Sequence, residues 1–218
     1  MAFVSNDTSR PARARSPEEK GQRRDDILRA AERLWAKTPH AELSMNQVAR
    51  EAKLAKGTLY LYFDTKEEMF LALLTEHLQR WIDGLVALLD ERRPGTPGDV
   101  ADVLIASARG HEELRRLLIL LGTVLGQSEG IDLTLRFGRE VRRMLQPVVE
   151  RVPLPPEVTL RALMHAHALS MGWQHASEES FATDFVRRQR DLAFLAPRFE
   201  PEFGLALRAV VERLAAEG

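Results

Sequence analysis

Residues 44–63 read SMNQVAREAKLAKGTLYLYF. Ser44 followed three residues later by Gln47 is a capping box, a hydroxyl that accepts from a helix amide and a side chain that reaches back. It predicts a helix from Met45 to about Ala52, a turn near Lys53–Ala55, and a second short helix: the spacing of a helix-turn-helix. Val48, Ala49, Leu54 and Leu59 are the positions that pack the two helices together, with Ala49 small where they approach closely. The remaining side chains of the second helix, Lys56, Thr58, Tyr60, Leu61 and Tyr62, then face outward beside Gly57. Hydroxyls reach phosphates, a threonine methyl can touch a thymine methyl, and a glycine lets a backbone come close. Ser44 and Asn46 add polar groups from the first helix. The expected partner is double-stranded DNA.

Working outward, apolar residues recur three and four apart almost throughout and no sustained alternation marks a strand, so the chain reads as all-α. Residues 1–15 mix Pro, Ser, Asn and Arg and form a flexible arm, whose Arg10, Arg13 and Arg15 either stay solvated or enter a minor groove. Ser16, Pro17 and Glu19 start the first helix, with Ile27, Ala31, Leu34 and Trp35 as its stripe, and Gly21 could interrupt its first turn or two. A further capping box at Thr65 and Glu68 opens a long helix. Its stripe is Phe70, Leu73, Leu74, Leu78, Trp81, Leu85 and Leu89, and it ends at Pro94-Gly95-Thr96-Pro97-Gly98. Helices are expected over 99–109, 112–127, 131–151, 156–176, 184–195 and 202–216. The expected domains are the arm (1–15), a three-helix DNA-binding domain (16–64) and a larger helical ligand-binding and dimerisation domain (65–218).

KGTLYLYF followed by DTKEEMF resembles the recognition helix and following turn of the TetR family of transcriptional regulators. The resemblance runs from about Arg24 through Leu74 and thins beyond. It implies that Thr58 and Tyr60 contact base edge and phosphate, with Lys56, Gly57 and Tyr62 beside them, and that Lys66 is the phosphate-binding lysine at the start of helix four. Two positions depart from the pattern, which has Gly where Lys53 stands and Ser or Thr where Ala55 stands. Ala55 cannot cap a helix, a loss of about 1 kcal/mol, and Lys53 at positive φ is strained.

Composition narrows the rest. Zero cysteines exclude disulfides and thiolate metal sites and fit a reducing, cytoplasmic setting. Apolar runs such as Leu117 to Leu121 are far short of the roughly 20 residues that span a bilayer, and no signal core is evident at the N-terminus. Residues 1–66 carry 13 Lys/Arg against 9 Asp/Glu and the remainder 18 against 23, a mildly basic front and an acidic back. His165 and His167, two apart on a helix, point about 200° away from each other, and no metal site is expected. No G-x-S-x-G, phosphate-loop or dinucleotide-loop pattern occurs, so neither an enzyme nor a cofactor is expected.

One helix-turn-helix makes too few contacts for tight specific binding, so a homodimer is expected, with recognition helices about 34–36 Å apart on two half-sites. The segment 156–176 is apolar nearly all round, with Leu160, Leu163, Met164, Leu169, Met171 and Trp173. Paired with the narrow stripe Leu207, Val210, Val211 and Leu214, it could build a four-helix interface. The resemblance implies the same arrangement and an enclosed effector pocket. Trp81, His111, Arg136, Phe137, Met164, His167 and Trp173 are its candidate lining, suited to an amphipathic or aromatic molecule. The expected function is a repressor released from a near-palindromic operator by a small molecule; the alternative is a helical adaptor that binds protein.

Overall fold

The computed structural model describes residues 16–124, 131–177 and 181–217, and among them every regular element is helical. The arm at 1–15 lies outside the described residues. Two compact units emerge, one through Leu73 and one from Leu74 onward. The division falls inside the long fourth helix and not at the expected 64/65, because the first turns of that helix supply core to the first unit.

In the first unit, α1 (Pro17–Trp35) starts at Ser16, whose Oγ accepts from the Glu19 amide at 3.1 Å. Gly21 does not interrupt it, since the surrounding turns are already nucleated by the cap and by Pro17 at the first position. Ile27, Leu28, Ala30 and Ala31 are buried. A 3-10 turn (His40–Glu42) leads to α2 (Met45–Glu51), α3 (Lys56–Leu59) and α4 (Lys66–Arg92). The core closes with Phe70, set edge-on to Trp35 at 6.0 Å and to His40 at 4.7 Å between ring centroids.

In the second unit, α5 (Pro97–Ser107) begins two residues earlier than expected. Thr96 and Asp99 form a full capping box with Pro97 at the first position, where sequence reading saw only a break. Then follow α6 (Glu112–Val124), α7 (Ile131–Met144), α8 (Gln146–Val149), α9 (Pro156–Ala176), α10 (Phe181–Arg187) and α11 (Phe199–Glu217). The helix expected over 131–151 breaks after Met144, because Pro147 has no N–H for the carbonyl four residues back. The helix expected over 184–195 stops at Arg187, since Arg188-Gln189-Arg190-Asp191 has nothing to bury; a separate 3-10 turn covers Ala193–Leu195.

α11 packs along α9 and α5, and α6 packs on α9. The stripe predicted for a partner is largely turned inward: Leu207, Val211 and Leu214 are buried in the unit's own core and Val210 is half-buried, while Leu205, outside that stripe, is 72% exposed. Arg208 ties α11 to α5 through Asp102 and the Gly98 carbonyl.

Candidate nucleic-acid interface and ligand cavity

The helix-turn-helix follows from its caps. Ser44 Oγ accepts from the Gln47 amide while Gln47 Oε1 accepts from the Ser44 amide at 2.7 Å, the complete box. α2 ends at Glu51, and Lys53 takes φ 57°, the left-handed conformation its position requires and a glycine would adopt without strain. The Leu54 amide then donates to the Ala49 carbonyl at 2.8 Å, closing the turn over the small side chain. Val48, Ala49, Leu54 and Leu59 are all buried, as their spacing predicts.

α3 is only one turn long. Ala55 offers no side-chain cap, and beyond Leu59 the chain tightens into three-residue hydrogen bonds, Leu61 to Thr58 at 3.2 Å and Tyr62 to Leu59 at 3.0 Å. Tyr60 and Tyr62 therefore project from a turn that continues the helix. Lys56, Gly57, Tyr60 and Leu61 are exposed, Thr58 and Tyr62 half-buried, and the Lys56 ammonium lies 5.8 Å from the Tyr60 ring centre. A Cβ added to Gly57 would meet nothing within 4 Å, so nothing in the chain itself requires a glycine there. Asn46 is exposed on the first turn of α2.

Two of the expected contacts are otherwise engaged. The Ser44 hydroxyl and amide both serve the capping box. The Lys66 ammonium is half-buried and donates to the His40 carbonyl at 2.9 Å and the Leu43 carbonyl at 3.2 Å, leaving one donor of three. It clamps the entry to α2, a task sequence reading missed. At the start of α4, Thr65 Oγ1 accepts from the Glu68 amide at 3.0 Å, but the Glu68 carboxylate accepts from Asp64, one residue before the expected partner.

His40 beside this clamp has its Nε2 shut off from solvent with no hydrogen-bond partner. Burial first, and the Lys66 charge second, hold its pKa below the ordinary histidine value, against a smaller opposing effect of Glu67. The unfolded chain therefore takes up a proton that the folded unit refuses. Stability is whole above pH ~6.5 and is lost as pH falls below it. Urea unfolding at pH 7.5 and 5.5 should show a lower midpoint at the acid pH, and His40→Phe should lessen that drop; an unchanged drop would assign it to other groups.

The second unit holds a partly open cavity of about 490 Å³, within the roughly 300–1,000 Å³ usual for small-molecule sites. Trp81, His111, Phe137, Met164 and His167 line it as expected; Arg136 and Trp173 do not. Arg136 sits one position before the lining face of α7, which is Phe137, Gly138, Val141 and Arg142, continued by Leu145 just after the helix. Trp173 precedes Gln174, which continues the buried stripe of α9 from Ala166 and Ser170, and so is turned about 100° off it. Burial depresses the pKa of both His111 and His167, with the Arg115 charge adding to the effect at His111.

Sequence reading missed Arg115, which is 5% exposed. Its Nε donates to Gln174 Oε1 at 2.8 Å, another nitrogen donates to the Ala108 carbonyl at 2.7 Å, and the guanidinium lies 4.2 Å from the Phe199 ring centre. The available signal was position, since Arg115 stands one turn before Leu118 and Ile119 on the apolar side of α6. Among the described residues no group of three or more His, Asp or Glu could hold a metal, and no helix is long and apolar enough to cross a membrane.

Comparison with known proteins agrees at both ends. Residues 27–73 match the bacterial regulatory proteins of the tetR family, and residues 75–216 match the tetracyclin repressor-like C-terminal domain. An uncharacterized HTH-type transcriptional regulator of Mycobacterium tuberculosis is 34% identical over 101 residues, 46% of this chain and 41% of that protein. One from Lactococcus lactis is 36% identical over 58 residues, 27% of this chain and 30% of that protein. The chain thus spans less than half the length of these curated relatives.

A TetR transcriptional regulator from Rhodococcus sp. RHA1 has a TM-score of 0.57 at 23% identity, with 91% of this chain and 97% of that one covered. Salmonella enterica GusR has 0.55 at 20%, covering 89% and 96%. At such identities the likeness concerns the fold. With the family match extending over most of its length, the chain belongs to the tetR family of bacterial regulatory proteins, helix-turn-helix transcriptional regulators and not enzymes.

Proposed function

We propose that the chain is a cytoplasmic, homodimeric repressor that reads a near-palindromic operator through the 56–62 turn and leaves it when a small molecule enters the cavity. Gly57 carries the reading: it is exposed, faces open space and has no internal reason to lack a side chain, as suits a backbone closely approached by DNA. Lys56, Thr58, Tyr60 and Tyr62 surround it as the contacting groups, with Asn46 beside them. Ser44 and Lys66 act chiefly by fixing α2. The exposed Leu205 on α11 supports a partner surface there. α4 is the link between effector and operator: Lys66 and Phe70 belong to the first unit, while Leu78 and Trp81 line the cavity.

Gel shifts at physiological salt, with DNA from upstream of the chain's own coding region, test it. The wild type should bind selectively, and Gly57→Ala and Tyr60→Ala should each weaken binding about tenfold or more, ~1.4 kcal/mol. Gly57→Ala is informative because alanine favours helix by about 1 kcal/mol, so unfolding cannot explain a loss. Wild-type affinity in both variants would sink the reading and favour a protein-docking role for the same surface.

A further inference from the structure

We infer that the ligand of the cavity is an organic anion with an apolar body, a carboxylic acid bound as its carboxylate; this rests on the effector role proposed above. Among the described residues, the titratable side chains in the cavity wall are His111, Arg115, Arg142 and His167, all basic, with no carboxylate. The Glu112 carboxylate is already paired with Arg115 at 3.3 Å, so a cationic ligand would find no free counter-charge there, and a buried unpaired charge is costly.

Four of the polar groups, His111, Arg115, His167 and Ser170, are gathered at one side. Arg115 is tied to Gln174, which places the first turn of α6 against the C-terminal half of α9, where His167 and Ser170 line the cavity. Leu160 and Leu163 line it further back along α9, and Leu145, between α7 and α8, lines it too. An elongated molecule with one polar head matches this division. The Ser107 and Ser170 hydroxyl protons are already donated, at 2.8 Å, to the Leu104 and His167 carbonyls, so neither serine donates to a ligand. The side-chain donors left among the lining residues are the histidine, arginine and Trp81 N–H groups, which suit a head that accepts. Arg142, exposed and with no acidic partner among the described residues, adds positive charge to the cavity wall from α7.

Calorimetric titration of the full chain with matched probes tests this: octanoate, octanamide and octylammonium, and 2-naphthoate against 2-naphthamide to separate aliphatic from aromatic bodies. At least one carboxylate should bind tenfold or more tighter than its amide, and octylammonium should not saturate. Arg142→Glu, an exposed change that spares the core, should weaken the carboxylate at least threefold and leave the amide unchanged. His111→Leu should narrow the acid-over-amide preference. Equal binding of acid and amide, tighter binding of the ammonium, or no binding by any probe would overturn the inference. Gel shifts with the same probes keep the two ideas apart. A carboxylate that binds without loosening operator DNA refutes release by that ligand but not the ligand class; an amide or ammonium that binds better and releases DNA does the reverse.

Discussion

Phe70→Ala is expected to destabilise the first unit by about 3–5 kcal/mol, the range for emptying a fully buried aromatic site. Phe70 is 0% exposed, with Trp35 and His40 edge-on to its ring, so truncation removes dispersion contacts from two elements at once and leaves a space neither can refill. A unit of this size is stable by roughly 0.05–0.15 kcal/mol per residue, so the loss takes much of its margin. Far-ultraviolet melting of the full chain should show an early transition for the first unit, and selective DNA binding at 37 °C should vanish. Leu61→Ala, at a side chain 70% exposed, should stay within about 0.5 kcal/mol. A Phe70→Ala protein as stable as this control would mean the ring is not an anchor of the core.

The first unit is where the sequence was most readable, and the reason is local. Ser44 with Gln47 and Thr65 with Glu68 mark helix starts by hydrogen bonds that span three or four residues, and the close approach at Ala49 follows from residue size. The strained Lys53 and the uncapped Ala55 are likewise local, and both stand as their residue types imply. What escaped was the inward turn of Lys66, which depends on carbonyls 23 and 26 residues away.

The second unit was readable as helices and not as faces. Its apolar stripes are broad, so one-position errors placed Arg136 and Trp173 in the cavity wall and left out Arg142. The stripe Leu207, Val211 and Leu214 reads equally well as partner surface or as core; only packing against α5 and α9 decides for core. Breaks at Pro147 and after Arg187 needed the balance of a lost hydrogen bond, or of nothing to bury, against propagation.

Arg115→Met is the second large effect, expected at about 3–5 kcal/mol. Two acceptors, Gln174 Oε1 and the Ala108 carbonyl, lose their donors, at about 1–3 kcal/mol each when buried, and Phe199 loses a desolvated cation-π partner. Glu112, half-exposed at 3.3 Å, adds little because solvent can take over its charge. Denaturant unfolding should locate the loss in the second unit. The double variant Arg115→Met with Gln174→Leu should recover part of it, since replacing both partners leaves fewer stranded groups. Strictly additive losses would show that Arg115 and Gln174 do not act on each other.

Under the proposed DNA-reading role, a phosphate approaching Lys66 meets an ammonium whose charge is already shared with the His40 and Leu43 carbonyls. The turn from Lys56 to Tyr62 brings a single cation of its own. Such a surface displaces few of the counterions condensed on DNA, each neutralised phosphate steepening the logarithmic salt dependence by about 0.9. Operator affinity should then decline gently as ionic strength rises. Hydroxyl and methyl contacts release no counterions, so the ability to choose among sequences persists at salt concentrations that strip a lysine-rich reader from the duplex.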